Sequence, residues 1–211
     1  MFTLAIQTGR LSRRPYFPRL PEGQPRQGFM EHADYLGIRK HLPPDHQDVL
    51  DFGYLTGWRR GEILSLEWSD LDRAAHVIRL RPERSKTREG RVLVLSGLLR
   101  DLIERRWRKR FLGCPFVFHR DGYSLEHHFE PPWRRACKAA GLPGKLFHDL
   151  RRTAVRNMVR AGIPERVAMQ MSGYKTRSIF DRYNIVSEGD LRQASDRLAA
   201  YVYEAARASG A

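Results

Sequence analysis

From Phe29 onward, apolar residues recur at helical spacing, and short breaks marked by Pro or Gly separate the stretches. Tyr35, Leu36 and the run from Ile38 through Leu42 predict a short helix stopped by Pro43 and Pro44. Asp45 is placed to cap a second helix running to about Thr56, where Gly57 interrupts it. Arg60 to Leu66 is amphipathic and turns Ile63, Leu64 and Leu66 inward. The pattern then becomes strand-like: Val77, Ile78 and Leu80 form one candidate strand and Arg91 to Leu95 another, with a polar turn between them. Helical spacing returns over Leu98 to Phe111, which is heavily basic on its polar side. Phe116 to Phe118 is a short apolar run, and a helix from Pro132 to Ala140 ends at Gly141. Asp149 to Ala161 is helical with a stop at Gly162 and Pro164, followed by a short helix from Pro164 to Met171. The last helix, Glu188 to about Ala206, carries an apolar stripe at Leu191, Ala194, Leu198 and Val202. No segment repeats. The sum is a mostly helical α+β domain with one small antiparallel sheet.

Residues 1–28 are different in kind. Arg10, Arg13, Arg14, Arg19 and Arg26 stand against a single Glu22 among Pro and Gly, without a periodic apolar face. They read as an extended basic arm or linker. Residues 29–186 form the main domain, and 187–211 a terminal helix and tail.

Charge narrows the function classes. Thirty-eight Lys and Arg against 24 Asp and Glu give a formal charge of +14, and the pI is near 10.4. Such a surface attracts polyanions, and counterion release from a nucleic acid drives association. An anionic membrane is the rival partner. However, no segment is long and apolar enough to span a bilayer, and Phe2 to Ile6 is too short for a signal peptide. Nucleic acid, met in the cytoplasm, is therefore the expected partner, with no membrane. Cys114 and Cys137 lack the spacing of a zinc site and read as reduced thiols. The adjacent His127 and His128 would point about 100° apart on a helix, a poor chelate, and read as surface residues. Neither a metal nor a small-molecule cofactor is expected.

Cutting a phosphodiester without a metal needs a nucleophile, cations to neutralise the pentavalent phosphorane, and an acid for the leaving oxygen. Four segments supply candidates in order: Leu55-Thr-Gly-Trp-Arg-Arg-Gly-Glu-Ile-Leu-Ser-Leu-Glu-Trp68, Arg84-Ser-Lys-Thr-Arg-Glu-Gly-Arg-Val-Leu-Val-Leu95, Phe147-His-Asp-Leu-Arg-Arg-Thr-Ala154 and Met171-Ser-Gly-Tyr-Lys-Thr-Arg-Ser-Ile-Phe-Asp-Arg-Tyr-Asn184. Guanidinium forks suit two phosphate oxygens better than a lysine point charge. An i,i+3 pair such as His148 and Arg151 shares one helix face, and the amides at a helix start favour an anion.

Over about residues 29–205 this succession resembles the catalytic domain of the tyrosine recombinases, the phage integrase family. The resemblance implies that Arg59 and Arg151 clamp the scissile phosphate and that Glu62 orients the first box. Lys86 in the hairpin turn becomes the general acid and His148 the proton acceptor. Tyr183, 32 residues after Arg151, becomes the nucleophile that forms a 3′-phosphotyrosyl link without metal or ATP. Arg84, Arg88, Arg91, Lys175 and Arg177 are the expected DNA contacts. Where the family has His or Trp, this chain has Tyr174, whose hydroxyl can still donate a hydrogen bond to a phosphate oxygen. Relatives carry an N-terminal core-binding domain that residues 1–28 are too short to supply. In relatives the terminal helix docks on a neighbouring protomer, so the implied partners are double-stranded DNA and other recombinase protomers. Three functions remain open: a site-specific recombinase or integrase, a catalytically impaired DNA-binding remnant, and a relaxation activity like that of type IB topoisomerases.

Overall fold

Pro43 and Pro44 end one helix and start the next, because a proline lacks the N–H that a helix interior needs but fits its first turn. Helix α1 (Phe2–Gln7) stands apart at the start; then α2 (His32–Lys40) and α3 (Pro44–Thr56) lie either side of these prolines. The computed structural model describes residues 2–16, 18, 28–85, 90–177, 180 and 188–208. In place of a wholly extended arm, residues 2–7 form a short helix that buries none of its side chains. The α2 start is closed by Asp34, which accepts the Glu31 N–H at 3.2 Å.

Helix α3 does not use Asp45 as its cap. The capping position is Pro43, and Asp45 lies in the first turn. There it pairs at 3.0 Å with Arg106, reaching across from α5 (Gly97–Arg108). Gly57 terminates α3 in the left-handed conformation (φ 67°), and a Cβ there would come within 3.1 Å of the Ala154 methyl. The chain then enters α4 (Arg60–Leu64), with Ile63, Leu64 and the following Leu66 buried as its pattern predicts.

The three-stranded sheet has the order β1 (Leu71–Asp72), β2 (Val77–Leu80), β3 (Arg91–Val94), all antiparallel. The pairing of Ile78 with Leu93 and of Leu80 with Arg91 sets one face of the hairpin against the core. Strand β1 has two residues, too few for an alternating pattern to register. The same holds for a second hairpin, β4 (His119–Arg120) with β5 (Tyr123–Ser124), just beyond the apolar Phe116 to Phe118 run.

Helices α6 (Glu130–Ala139), α7 (Asp149–Arg160) and α8 (Glu165–Ser172) complete the body. The main core runs from α2 through α6 and is rich in rings set edge to face, such as Phe52 on Trp58 and on Phe118. Phe147 packs edge-on against Phe129 and Trp133, which fixes the backbone just before His148. A smaller core joins α7 to α8 through Val155, Met158 and Ala168, with Tyr174 and Phe180. Phe29 to Glu31 is tied to α7 by the Met30 N–H donating to Thr153 (2.8 Å) and by an Arg156–Glu31 ion pair. Cys114 and Cys137 are both free and buried, and burial pushes the Cys137 thiol up to about 11. His127 and His128 are exposed. Helix α9 (Glu188–Ala208) leaves Leu191, Leu198 and Val202 exposed in the single chain. Among the described residues no helix is long and apolar enough to cross a membrane.

Candidate active site

Three distant segments meet at the start of α4. Arg59 precedes the helix in extended conformation, and its own N–H donates to Glu62 Oε2 at 3.0 Å. Arg59 Nη1 bonds the other carboxylate oxygen of Glu62 at 2.8 Å. That carboxylate also receives Arg91 Nη2 at 2.8 Å, so one buried acid spans two guanidiniums. Burial alone would raise the Glu62 carboxyl; Arg91 and Arg59 outweigh it and hold it below the usual carboxylate range.

The second arginine box comes in beneath. Arg151 is 2% exposed. Its Nη1 donates to the carbonyls of Gly57 (2.7 Å) and Ser172 (2.6 Å), and its Nη2 to Gly173 O (3.0 Å). The left-handed turns at Gly57 and Gly173 aim these carbonyls inward. Burial pushes the Arg151 guanidinium down to about 10, with Arg59 and Arg91 adding repulsion, so it stays charged at neutral pH. Tyr174 lies under it, with the guanidinium 4.0 Å from the ring centroid. Three guanidiniums against one carboxylate leave this cluster positive, as an anion site requires.

An open cleft of about 370 Å³ lies beside the cluster, lined by Arg59, Arg60 and Gly61 on one side and by Leu146, Phe147 and His148 on the other. His148 stands at the N-terminal boundary of α7 and lines this cleft. Partial desolvation first, then the charges of Arg151, Arg152 and Arg59, lower its pKa from the ordinary value, and Asp149 offsets part of this. Neutral His148 is therefore available as a proton acceptor at pH 7. If it acts so, the rate at sub-saturating DNA, which reports the free protein, drops to half its plateau only below about pH 6.5, the ordinary histidine value. A rate already halved at pH 7.5 would remove His148 from this role.

The structure thus brings together Arg59, Glu62, His148, Arg151 and Tyr174. Lys175 and Arg177 are exposed just past them, and Arg177 pairs with Glu165 at 2.9 Å. Arg84 closes a 3-10 turn, Pro82–Arg84. Lys86, Arg88 and Tyr183 lie outside the described residues. Arg91, expected to touch DNA, is only 8% exposed in the free chain, over the Trp58 ring and bound to Glu62 and to Ser172 O. The signal was present, because the two-residue strand period puts Arg91 on the same face as the buried Leu93 and Leu95. Trp58, whose Nε1–H donates to Met171 O at 3.0 Å, also joins the first box to the end of α8; nothing in the motif beyond an indole marked it.

A small antiparallel sheet and helices that pack two arginine boxes and a buried glutamate beside a cleft holding a histidine define the catalytic domain of a tyrosine recombinase. The chain belongs to the phage integrase family, which residues 26–189 match. It is 29% identical over 147 residues to the integrase of Salmonella phage P22, an alignment covering 65% of this chain and 38% of that one. It is 25% identical over 161 residues to the tyrosine recombinase XerC of Bifidobacterium longum, covering 68% and 44%. The fold matches a lambda integrase dimer bound to a COC′ core site, with a TM-score of 0.68 at 20% identity over 87% of this chain and 55% of that one. The Tn1549 transposon integrase in complex with a circular intermediate DNA gives a TM-score of 0.70 at 18% identity, covering 93% and 75%. The chain therefore spans less than half the length of these curated relatives.

Proposed function

We propose that this chain is a site-specific strand transferase of recombination or integration, cutting and rejoining double-stranded DNA together with other protomers. The carrying observation is that Arg59 and His148, from separate segments, line one cleft, while Arg151 lies buried behind it and joins the Gly57 carbonyl of the first box to the Ser172 carbonyl of the fourth. In this reading the Tyr183 hydroxyl oxygen attacks the scissile phosphorus and passes its proton to His148. The new bond joins tyrosine oxygen to phosphorus; the bond to the 5′-oxygen breaks, and Lys86 protonates that oxygen. Arg59 and Arg151 compensate the charge on the phosphorane. The 3′-phosphotyrosyl link retains the bond energy, so an incoming 5′-hydroxyl can reverse the step without ATP. Support for DNA and partner protomers comes from the fold relatives, lambda integrases bound as a dimer to a core site and as a tetramer to a Holliday junction. The basic charge fits that partner, and a cytoplasmic setting follows from acting on chromosomal DNA.

One observation favours a second reading, a DNA-binding protein with impaired catalysis. Tyr174 is buried beneath Arg151, and three of the five N–H groups of that guanidinium already donate to carbonyls, so only two are left for a phosphate. Incubation with nicked suicide duplexes from the DNA flanking its gene, in EDTA, separates the two. A denaturation-resistant adduct that disappears in Tyr183→Phe is the expected result. Duplex binding with no adduct, equal in wild type and Tyr183→Phe, would establish the second reading instead.

A further inference from the structure

Arg91 lies in the second box, yet its side chain belongs to the space between the first and fourth. Its Nη2 holds Glu62 Oε2 at 2.8 Å and its Nη1 donates to Ser172 O at 2.9 Å. The same Ser172 oxygen accepts Arg151 Nη1 at 2.6 Å, so one carbonyl at the negative end of α8 is capped by two guanidiniums. Gly173 is shaped for this contact: it is left-handed (φ 74°), and a Cβ on it would lie 2.3 Å from the Arg91 guanidinium carbon. Trp58 closes the fourth side, with its ring 4.8 Å from Arg91 and its Nε1–H on Met171 O.

We propose that Arg91 is a positioning residue: a buried guanidinium that locks Glu62, and through it Arg59, to the C-terminal end of α8, from which the chain continues to Tyr174 and Tyr183. It sets the distance between the phosphate clamp and the nucleophile's segment and does not touch DNA. Only a planar fork spans the carboxylate and the carbonyl together; a lysine ammonium reaches one of them. The proposal rests on the strand-transfer reading above.

The test compares Arg91→Lys and Arg91→Met with wild type in adduct formation at saturating suicide duplex, in duplex Kd, in melting temperature and in amide hydrogen exchange. Because displacement by an ångström is enough to cost orders of magnitude in rate, adduct formation falls about ten- to a hundredfold in Arg91→Met and less in Arg91→Lys. Duplex Kd changes less than about twofold, since no phosphate contact is removed. Exchange rises in residues 57–64 and 169–177 together. A weakened Kd with an unchanged saturated rate would make Arg91 a DNA contact and overturn the proposal. So would a rate loss that only follows the folded fraction. If wild type forms no adduct, the strand-transfer reading fails by itself, and the exchange data still decide: protection unchanged at both segments means Arg91 locks nothing.

Discussion

Arg151→Lys is expected to leave a folded, DNA-binding protein whose adduct formation at saturating duplex is about 10² to 10³ slower, the scale for losing one preorganised transition-state donor. The argument begins with what the guanidinium does at rest. It reaches Gly57, Ser172 and Gly173 carbonyls at once and sits over the Tyr174 ring. A lysine places one point charge in the same space and holds fewer of these acceptors, so it loses the fixed direction from which a fork meets two phosphate oxygens. Melting temperature and duplex Kd, measured alongside, separate chemistry from folding. A Lys variant that keeps its rate to within a few-fold of wild type would make Arg151 a brace for the α3–α8 junction and would put the clamp on Arg59 alone.

The second large effect concerns stability. Arg106→Met is expected to destabilise the domain by about 3–5 kcal/mol, because it leaves two buried carbonyls without their donor and takes from Asp45 and Asp48 the buried one of their two arginine partners. For a chain of this size that lowers the melting temperature by about 6–20 °C. Arg106 is 1% exposed; it donates to Val117 O at 3.0 Å and His119 O at 2.8 Å, and pairs with Asp45 at 3.0 Å and Asp48 at 3.5 Å. It thereby ties α5 to the start of α3 and to the strand that begins the second hairpin. Adduct formation per folded molecule stays at the wild-type rate, because none of these partners lines the cleft. Urea unfolding checks the prediction, and a loss below about 1 kcal/mol would show that Arg105 and Arg120, already paired with Asp48 and Asp45, hold these acids without Arg106.

Helices α3, α7 and α8 were legible because their apolar residues keep one face over several turns and because Pro or Gly marks their ends. The β2–β3 hairpin was legible from alternation alone. Strands β1, β4 and β5 were not, since two residues carry no period, and α1 was not, since it buries nothing. Asp45 was misread as a cap because a carboxylate at a helix start satisfies local rules equally well whether it meets an amide or, as here, an arginine 61 residues away.

The arginines show where local reading ends. The order and spacing of the boxes named Arg59, His148 and Arg151 as candidates, and the fold brings these three near one another. Counting charge placed the remaining arginines on the surface, where most guanidiniums belong. Whether one faces phosphate or braces the core depends on acceptors that arrive from elsewhere: Ser172 O lies 81 residues from Arg91, and Gly57 O lies 94 from Arg151. Those acceptors exist only once α8 and the α3–α4 turn have packed together. A buried guanidinium is tolerated only where such partners repay its desolvation, so tertiary structure alone decided which arginines became struts.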